Sequence, residues 1–279
     1  MKKLLFLLCL LSWSALNAQK TINRPPFIAK ATETIEIAAV HLSDTATVID
    51  VDAKFTPKYW IRIAPATCLV ADNGERYQVR QGVGIELGQE FWMPESGEAT
   101  FSLIFPPLPP SVKSFDFVEG EGERDFNLFG ISLTGKLPKL QLPKGLEKAG
   151  KMTAVALPTP EIKEGTAIIS GRILDYKPSF RMKAELHSAD FLSPYGQKNT
   201  ELELDEVGNF HTEISVSHPS VAYLSVGGSV VSFLLSPGGE TKVTVNLREM
   251  TRASSRLQKD TKAEGKKVYF EGLNAGLNT

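Results

Sequence analysis

The sequence predicts an all-β fold made of two antiparallel sandwiches in series, and three observations carry that prediction. Apolar residues recur with period two in short runs, the mark of half-buried strands. Turn signals rich in glycine, asparagine and proline separate those runs. No convincing long stretch repeats its apolar residues at helical spacing.

The chain begins with Lys2 and Lys3, an apolar run from Leu4 to Leu11, and small or polar residues up to Asn17-Ala18. That layout is a secretory signal peptide over residues 1–18, although Leu16 departs from the small residue usual near a cleavage site. The run falls short of the roughly 20 residues that span a bilayer, so no transmembrane helix is expected in the mature chain. The expected location is the periplasm, with the outer surface as the alternative. Cys9 leaves with the signal, so Cys68 becomes the only cysteine of the mature chain. This excludes an internal disulfide and a C-x-x-C motif, and the apolar setting of Cys68 reads as core.

The first domain is expected at residues 32–135. Ile49, Val51, Ala53 and Phe55 alternate with Asp50 and Asp52, and Tyr59-Trp60-Ile61-Arg62-Ile63 follows as a second strand. Cys68 to Ala71 and Arg76 to Arg80 flank Asp72-Asn73-Gly74, a strong hairpin signal because Asn-Gly tolerates positive φ. Further strands are expected at Ala99 to Phe105, Ser114 to Glu119 and Phe126 to Thr134. Residues 136–165, with Pro138, Pro143, Pro158 and Pro160 among lysines, read as a linker holding one short helix near Leu146 to Lys151.

A second strand series fills residues 166–247: Ala167 to Leu174, Arg181 to His187, Thr200 to Leu204, Asn209 to Val216, Val221 to Val226, Val230 to Leu235 and Thr241 to Leu247. Residues 248–279 read as a connector and the start of a helix. Arg248, Arg252 and Arg256 fall on one helical face, expected to be solvated. Lys267 to Gly272 reads as a strand, and Leu273 and Leu277, four apart, open a helix-like pattern. Short strands at this spacing fit two immunoglobulin-like sandwiches.

Chemistry is sparse. With 31 basic and 32 acidic residues, the net charge of -1 argues against nucleic acid as a partner. None of His41, His187, His211 and His218 pairs at metal-ligand spacing, and no cofactor is expected. His211 reads as an exposed strand histidine. Asp50 and Asp52 share a strand face, but glycosidase chemistry needs two carboxylates across a cleft. Glu119, Glu121, Glu123 and Asp125 lack the oxygen spacing of a calcium loop and read as a solvated hairpin tip. Alternation puts Trp60 with Arg62 opposite Tyr59, Ile61 and Ile63. The expectation for Trp60 and Trp92 is packing in the core, or an interface for Trp60; the alternative makes Trp60 and Arg62 partner contacts.

Two stretches carry a resemblance. One runs from Phe101 through Phe105-Pro106-Pro107-Leu108-Pro109 and Phe115-Asp116-Phe117 to Phe129-Gly130-Ile131; the other from Gly171-Arg172-Ile173 through Gly208-Asn209-Phe210 and Leu235-Ser236-Pro237-Gly238 to Val268-Tyr269-Phe270 and Ala275. Together they resemble the N-terminal β-rich region of exported TlpA-like, thioredoxin-fold thiol-disulfide oxidoreductases. The resemblance implies an accessory region that positions or oligomerises a redox domain, or binds a redox partner through sheet edges and loops, truncated before its W-C-x-x-C domain. No active-site residue carries over, so the expectation is a protein that is not an enzyme as it stands. The alternative is a periplasmic or surface module binding a glycan or protein.

Overall fold

The computed structural model describes residues 20–278 apart from 121, 123–124, 147–148, 150–155, 191–193 and 195. The signal peptide expected over residues 1–18 lies outside the described residues, as does most of the short helix expected near Leu146 to Lys151. The chain is all-β, with its strands in several sheets and two compact units. The first unit takes residues up to Pro25, Thr34–Glu121 and Ser132–Lys136; the second takes Pro26–Glu33, Gly122–Ile131 and the chain from Leu137.

In the first unit one sheet has the order β1 (Lys20–Asn23), β3 (Ile35–Leu42), β4 (Thr47–Lys54), β10 (Glu98–Phe105), β8 (Gln81–Val83). β4 pairs antiparallel with both β3 and β10, so its alternation is read on two sides: Ile49, Val51 and Ala53 are buried while Asp50 and Asp52 lie on the other face. A second sheet contains β6 (Cys68–Ala71) between β7 (Arg76–Gln78) and β11 (Ser114–Val118). The predicted hairpin joins β6 to β7, with Gly74 at φ 86°, a conformation that glycine adopts without steric cost. The rings of Phe105 and Phe117, one from each sheet, meet edge to face with centroids 6.4 Å apart, so the sheets share a core. A third, two-stranded ribbon pairs β5 (Trp60–Ile61) with β9 (Phe91–Trp92).

In the second unit β2 (Ala29–Lys30) pairs with the first half of β12 (Asn127–Ser132). One four-stranded sheet has the order β16 (Asn209–Val216), β13 (Gly165–Leu174), β19 (Glu240–Asn246), β20 (Val268–Gly272). The other has the order β15 (Gln197–Leu202), β14 (Ala184–Ala189), β17 (Ser220–Val226), β18 (Ser229–Leu235). Their buried faces join one core, in which Phe233 of β18 and Phe270 of β20 lie 5.9 Å apart. Burying each such ring stabilises the fold by about 1.5–3 kcal/mol. The stacked rings of Phe129 and Phe180, 4.6 Å apart, tie the segment around β12 into that same core.

Two expectations need correction here. β13 and β19 run parallel, not antiparallel, because the whole of the other sheet is built between them in sequence. Period-two alternation is the same in either direction, so it cannot report it. β13 lies so close to its neighbours that a Cβ at Gly171 would collide with the Val243 carbonyl and the Phe210 ring. The arginine-bearing stretch does form a helix, α1 (Leu247–Ser254), but Arg248 and Glu249 on it are buried. Beyond β20, Leu273–Leu277 make successive turns, with one helix-type bond from the Asn278 N–H to the Asn274 carbonyl.

Candidate recognition surface

The β5–β9 ribbon is anchored at its open end by bonds from the Met93 N–H to the Tyr59 carbonyl and from the Lys58 N–H to the Met93 carbonyl. In its two-residue register Trp60 faces Trp92 and Ile61 faces Phe91. Successive side chains of a strand point to opposite faces, so each pair shares a face. The inward pair packs: Ile61 is buried, and Phe91 lies 6.2 Å from the Phe101 ring of β10. The outward pair is therefore aromatic on both strands. Trp60 is 42% exposed and Trp92 61%, and directly opposed residues hold their Cβ atoms about 4.5–5.5 Å apart.

Three expectations change at this point. Trp60 and Trp92 stand on the surface, whereas core packing was expected for Trp92 and core packing or an interface for Trp60. Tyr59, grouped by alternation with Ile61 and Ile63, is 62% exposed, because Lys58 at φ 63° turns the chain just before the strand begins. Arg62, two residues beyond Trp60, is exposed as the alternation requires. The reason is depth: a ribbon packs on one face, and nothing in its own sequence says whether the other face will be covered. Trp92 was the residue missed as a contact, and only the cross-strand register identifies it.

A second polar feature crosses the sheet of the first unit. His41 Nε2 donates to Asp50 Oδ2 at 2.8 Å, and its Nδ1 is hydrogen-bonded with the Thr21 hydroxyl at 3.0 Å. Ser102 donates to the other oxygen of Asp50 at 2.7 Å. Burial would raise the Asp50 carboxyl, but the hydrogen bonds from His41 and Ser102 and the attraction of His41 together hold it below its ordinary value. Ser102 bonds the carboxylate and not the imidazole, so this row lacks the serine-to-base contact of nucleophilic catalysis. Asp50 is engaged by these partners on a paired strand, and no cleft separates it from Asp52.

The remaining candidates resolve individually. Among the described residues no three His, Cys, Asp or Glu side chains converge as a metal site needs. His211 is exposed, 3.7 Å from Glu213. Cys68 is buried, but a cation does accompany it: the Arg76 guanidinium donates to its sulfur at 3.1 Å from the facing strand of the hairpin. Glu119, expected on a solvated tip, is buried and accepts the Ala64 N–H at 2.8 Å.

No protein-family profile matches this chain, and no curated protein matches it. Among solved structures it is similar to the pullulanase of Anoxybacillus sp. LM18-11, at 12% identity over 68% of this chain and 24% of that one, with a TM-score of 0.22. The Group B Streptococcus pullulanase SAP gives 12% identity, 68% and 22% coverage, and a TM-score of 0.19. The chain thus spans under a quarter of the length of either, and superpositions this loose transfer neither ligand nor activity.

Proposed function

We propose that this chain is an exported, non-catalytic recognition module in which Trp60 and Trp92 stack on the ring of a glycan and Arg62 donates to its oxygens. The cross-strand register of the two tryptophans carries the reading. An indole left in water forgoes the roughly 1.5–3 kcal/mol that burying a large apolar side chain returns, and two adjacent ones make a flat surface that a partner can cover. Tryptophan suits a sugar because its face is apolar while its N–H still donates.

A glycan array probed with residues 19–279 tests this. Bound sugars are expected to shift tryptophan fluorescence, and Trp60→Ala and Trp92→Ala are each expected to weaken binding about tenfold, or about 1.4 kcal/mol. Binding that survives both substitutions in a folded protein removes the ledge from the site. Capture of a protein in place of a glycan through the same residues would replace the ligand class.

The sequence resemblance supports a second reading, an accessory role beside a thioredoxin-fold redox partner. In that reading the chemistry belongs to the partner, since Cys68 is buried on β6 and a dithiol cycle needs a second thiol to resolve it. Insulin reduction by the mature chain that persists in Cys68→Ser would contradict a non-catalytic role.

A further inference from the structure

The geometry points to a second binding surface, confined to the second unit and independent of the tryptophan ledge: the outer edge of β18 takes an extended peptide as an added strand, with an acidic side chain of that peptide at Lys267. β18 ends its sheet and pairs with β17 on one side only. In an antiparallel pair, alternate residues turn their N–H and C=O away from the partner strand. Leu234 fixes which set that is, because its N–H donates to Asn278 Oδ1 at 2.8 Å and its carbonyl accepts from Asn278 Nδ2 at 3.4 Å. Val230 and Ser232 have the same parity, so their backbone groups face outward too. The Asn278 side chain makes at one position the pair of bonds that an added strand would make at the next two.

The space beside this edge suits such a strand. An open groove of about 790 Å³ is lined by Gly228–Ser232, by Lys267, Val268 and Phe270, and by Met250 of α1. That volume lies within the range of ligand sites. Ser229–Leu235 contains no charge and no proline, the two devices that usually keep an edge from pairing. Val230, 59% exposed, offers an incoming strand an apolar cross-strand neighbour. The carboxylates in the wall are already bridged, Glu33 by Lys30 at 2.7 Å and Glu249 by Arg252 at 2.8 Å. Lys267, exposed on the wall, therefore selects an acidic residue over a basic one. Strand addition takes its affinity from the main chain and its specificity from the side chains that meet the wall.

The test uses the mature chain and a fluorescein-labelled, capped peptide of alternating valine and threonine ending in two glutamates, beside a counterpart ending in two lysines. Saturable anisotropy is expected for the glutamate peptide, with slowed hydrogen exchange at the Val230 and Ser232 amides. Ser232→Pro removes one outward donor at an edge position where proline is tolerated, and is expected to weaken binding about tenfold. Lys267→Glu is expected to weaken the glutamate peptide and strengthen the lysine one. Absence of saturable binding, unchanged affinity in a folded Ser232→Pro, or indifference to the charge at position 267 overturns the proposal. A concentration-dependent dimer abolished by Ser232→Pro would also overturn it, by giving the edge to a second copy of the chain.

Discussion

The β5–β9 ribbon of the first unit and helix α1 of the second depart from the apolar-in, charged-out pattern in opposite directions. The ribbon holds two tryptophans at the surface. The helix holds Arg248 at 6% exposure and Glu249 at 2%. Partners account for the difference. Arg248 donates to Asp175 and to the Pro138 carbonyl, and Glu249 accepts from Arg252 at 2.8 Å and from the Glu264 N–H at 2.7 Å. A buried charge persists only where its polar atoms are met in this way. The ribbon is two residues long on each strand and packs through Ile61 and Phe91, and its other face leaves Trp60 and Trp92 exposed. Burial here follows how many layers converge on a site, and residue class only decides what that burial costs.

Breaking the helix side of this contrast should give the largest effect. Arg248→Ala leaves Asp175 and the Pro138 carbonyl without their donor and is expected to cost about 3 kcal/mol, read as the shift in a urea unfolding curve. Arg248→Met with Asp175→Asn removes the stranded charge and keeps a residue that tolerates the φ of 61° at position 175, so it should recover part of that loss, the Pro138 carbonyl still lacking its donor. Next comes the cap: Asn246 Oδ1 accepts from the Glu249 N–H at 3.4 Å, and Asn246→Ala is expected to cost about 1 kcal/mol. Asn246 Nδ2 is the buried side-chain polar atom without a partner among the described residues. Asn246→Ser keeps a capping oxygen and removes that orphan, so it should stay within about 0.5 kcal/mol of the parent.

On the ribbon side, Trp92→Ala should change stability by less than about 1 kcal/mol, the size of an exposed cross-strand pair, although it deletes one of the largest side chains in the molecule. A loss of several kcal/mol by thermal unfolding would mean that the ribbon is structural and would weaken its reading as a contact surface. The smallest expected effect concerns Asp50. Its folded carboxyl is held below the ordinary value of 3.8, so the stability it contributes is present above that value and is lost as pH falls toward its folded pKa. His41→Ala removes a hydrogen bond and a charge from that carboxylate and should flatten the fall in stability below pH ~4. An unchanged acid limb in His41→Ala would show that the row on β4 does not couple to folding.

The strand inventory was legible because period-two alternation is a local property. β4, β10, the β6–β7 hairpin and every strand from β13 to β19 fall close to where the pattern puts them. Strands without a strong pattern were not. β3 is buried on most of its residues, so it shows no alternation, and β9 is too short to display a period, whereas β5 lies inside the strand expected at Tyr59 to Ile63. The site was half legible. Trp60 and Arg62 could be singled out, but Trp92 joins them only through a pairing across 32 positions of sequence. Arg248 read as solvated because helical spacing shows which residues share a face, not what that face meets.

By itself the sequence determined the all-β class, the positions of most strands, the hairpin at Asp72-Asn73-Gly74 and the lack of a cysteine besides Cys68 after Cys9 of the N-terminal apolar run, since each depends on neighbouring residues or on composition. Only the tertiary structure decided that β13 and β19 run parallel, that Trp60 meets Trp92, that Arg248 is enclosed and that Asn278 bonds one outward position of β18. Those four depend on contacts between residues far apart in the chain. Local periodicity records which way a side chain points, and it holds no information about what arrives on that side.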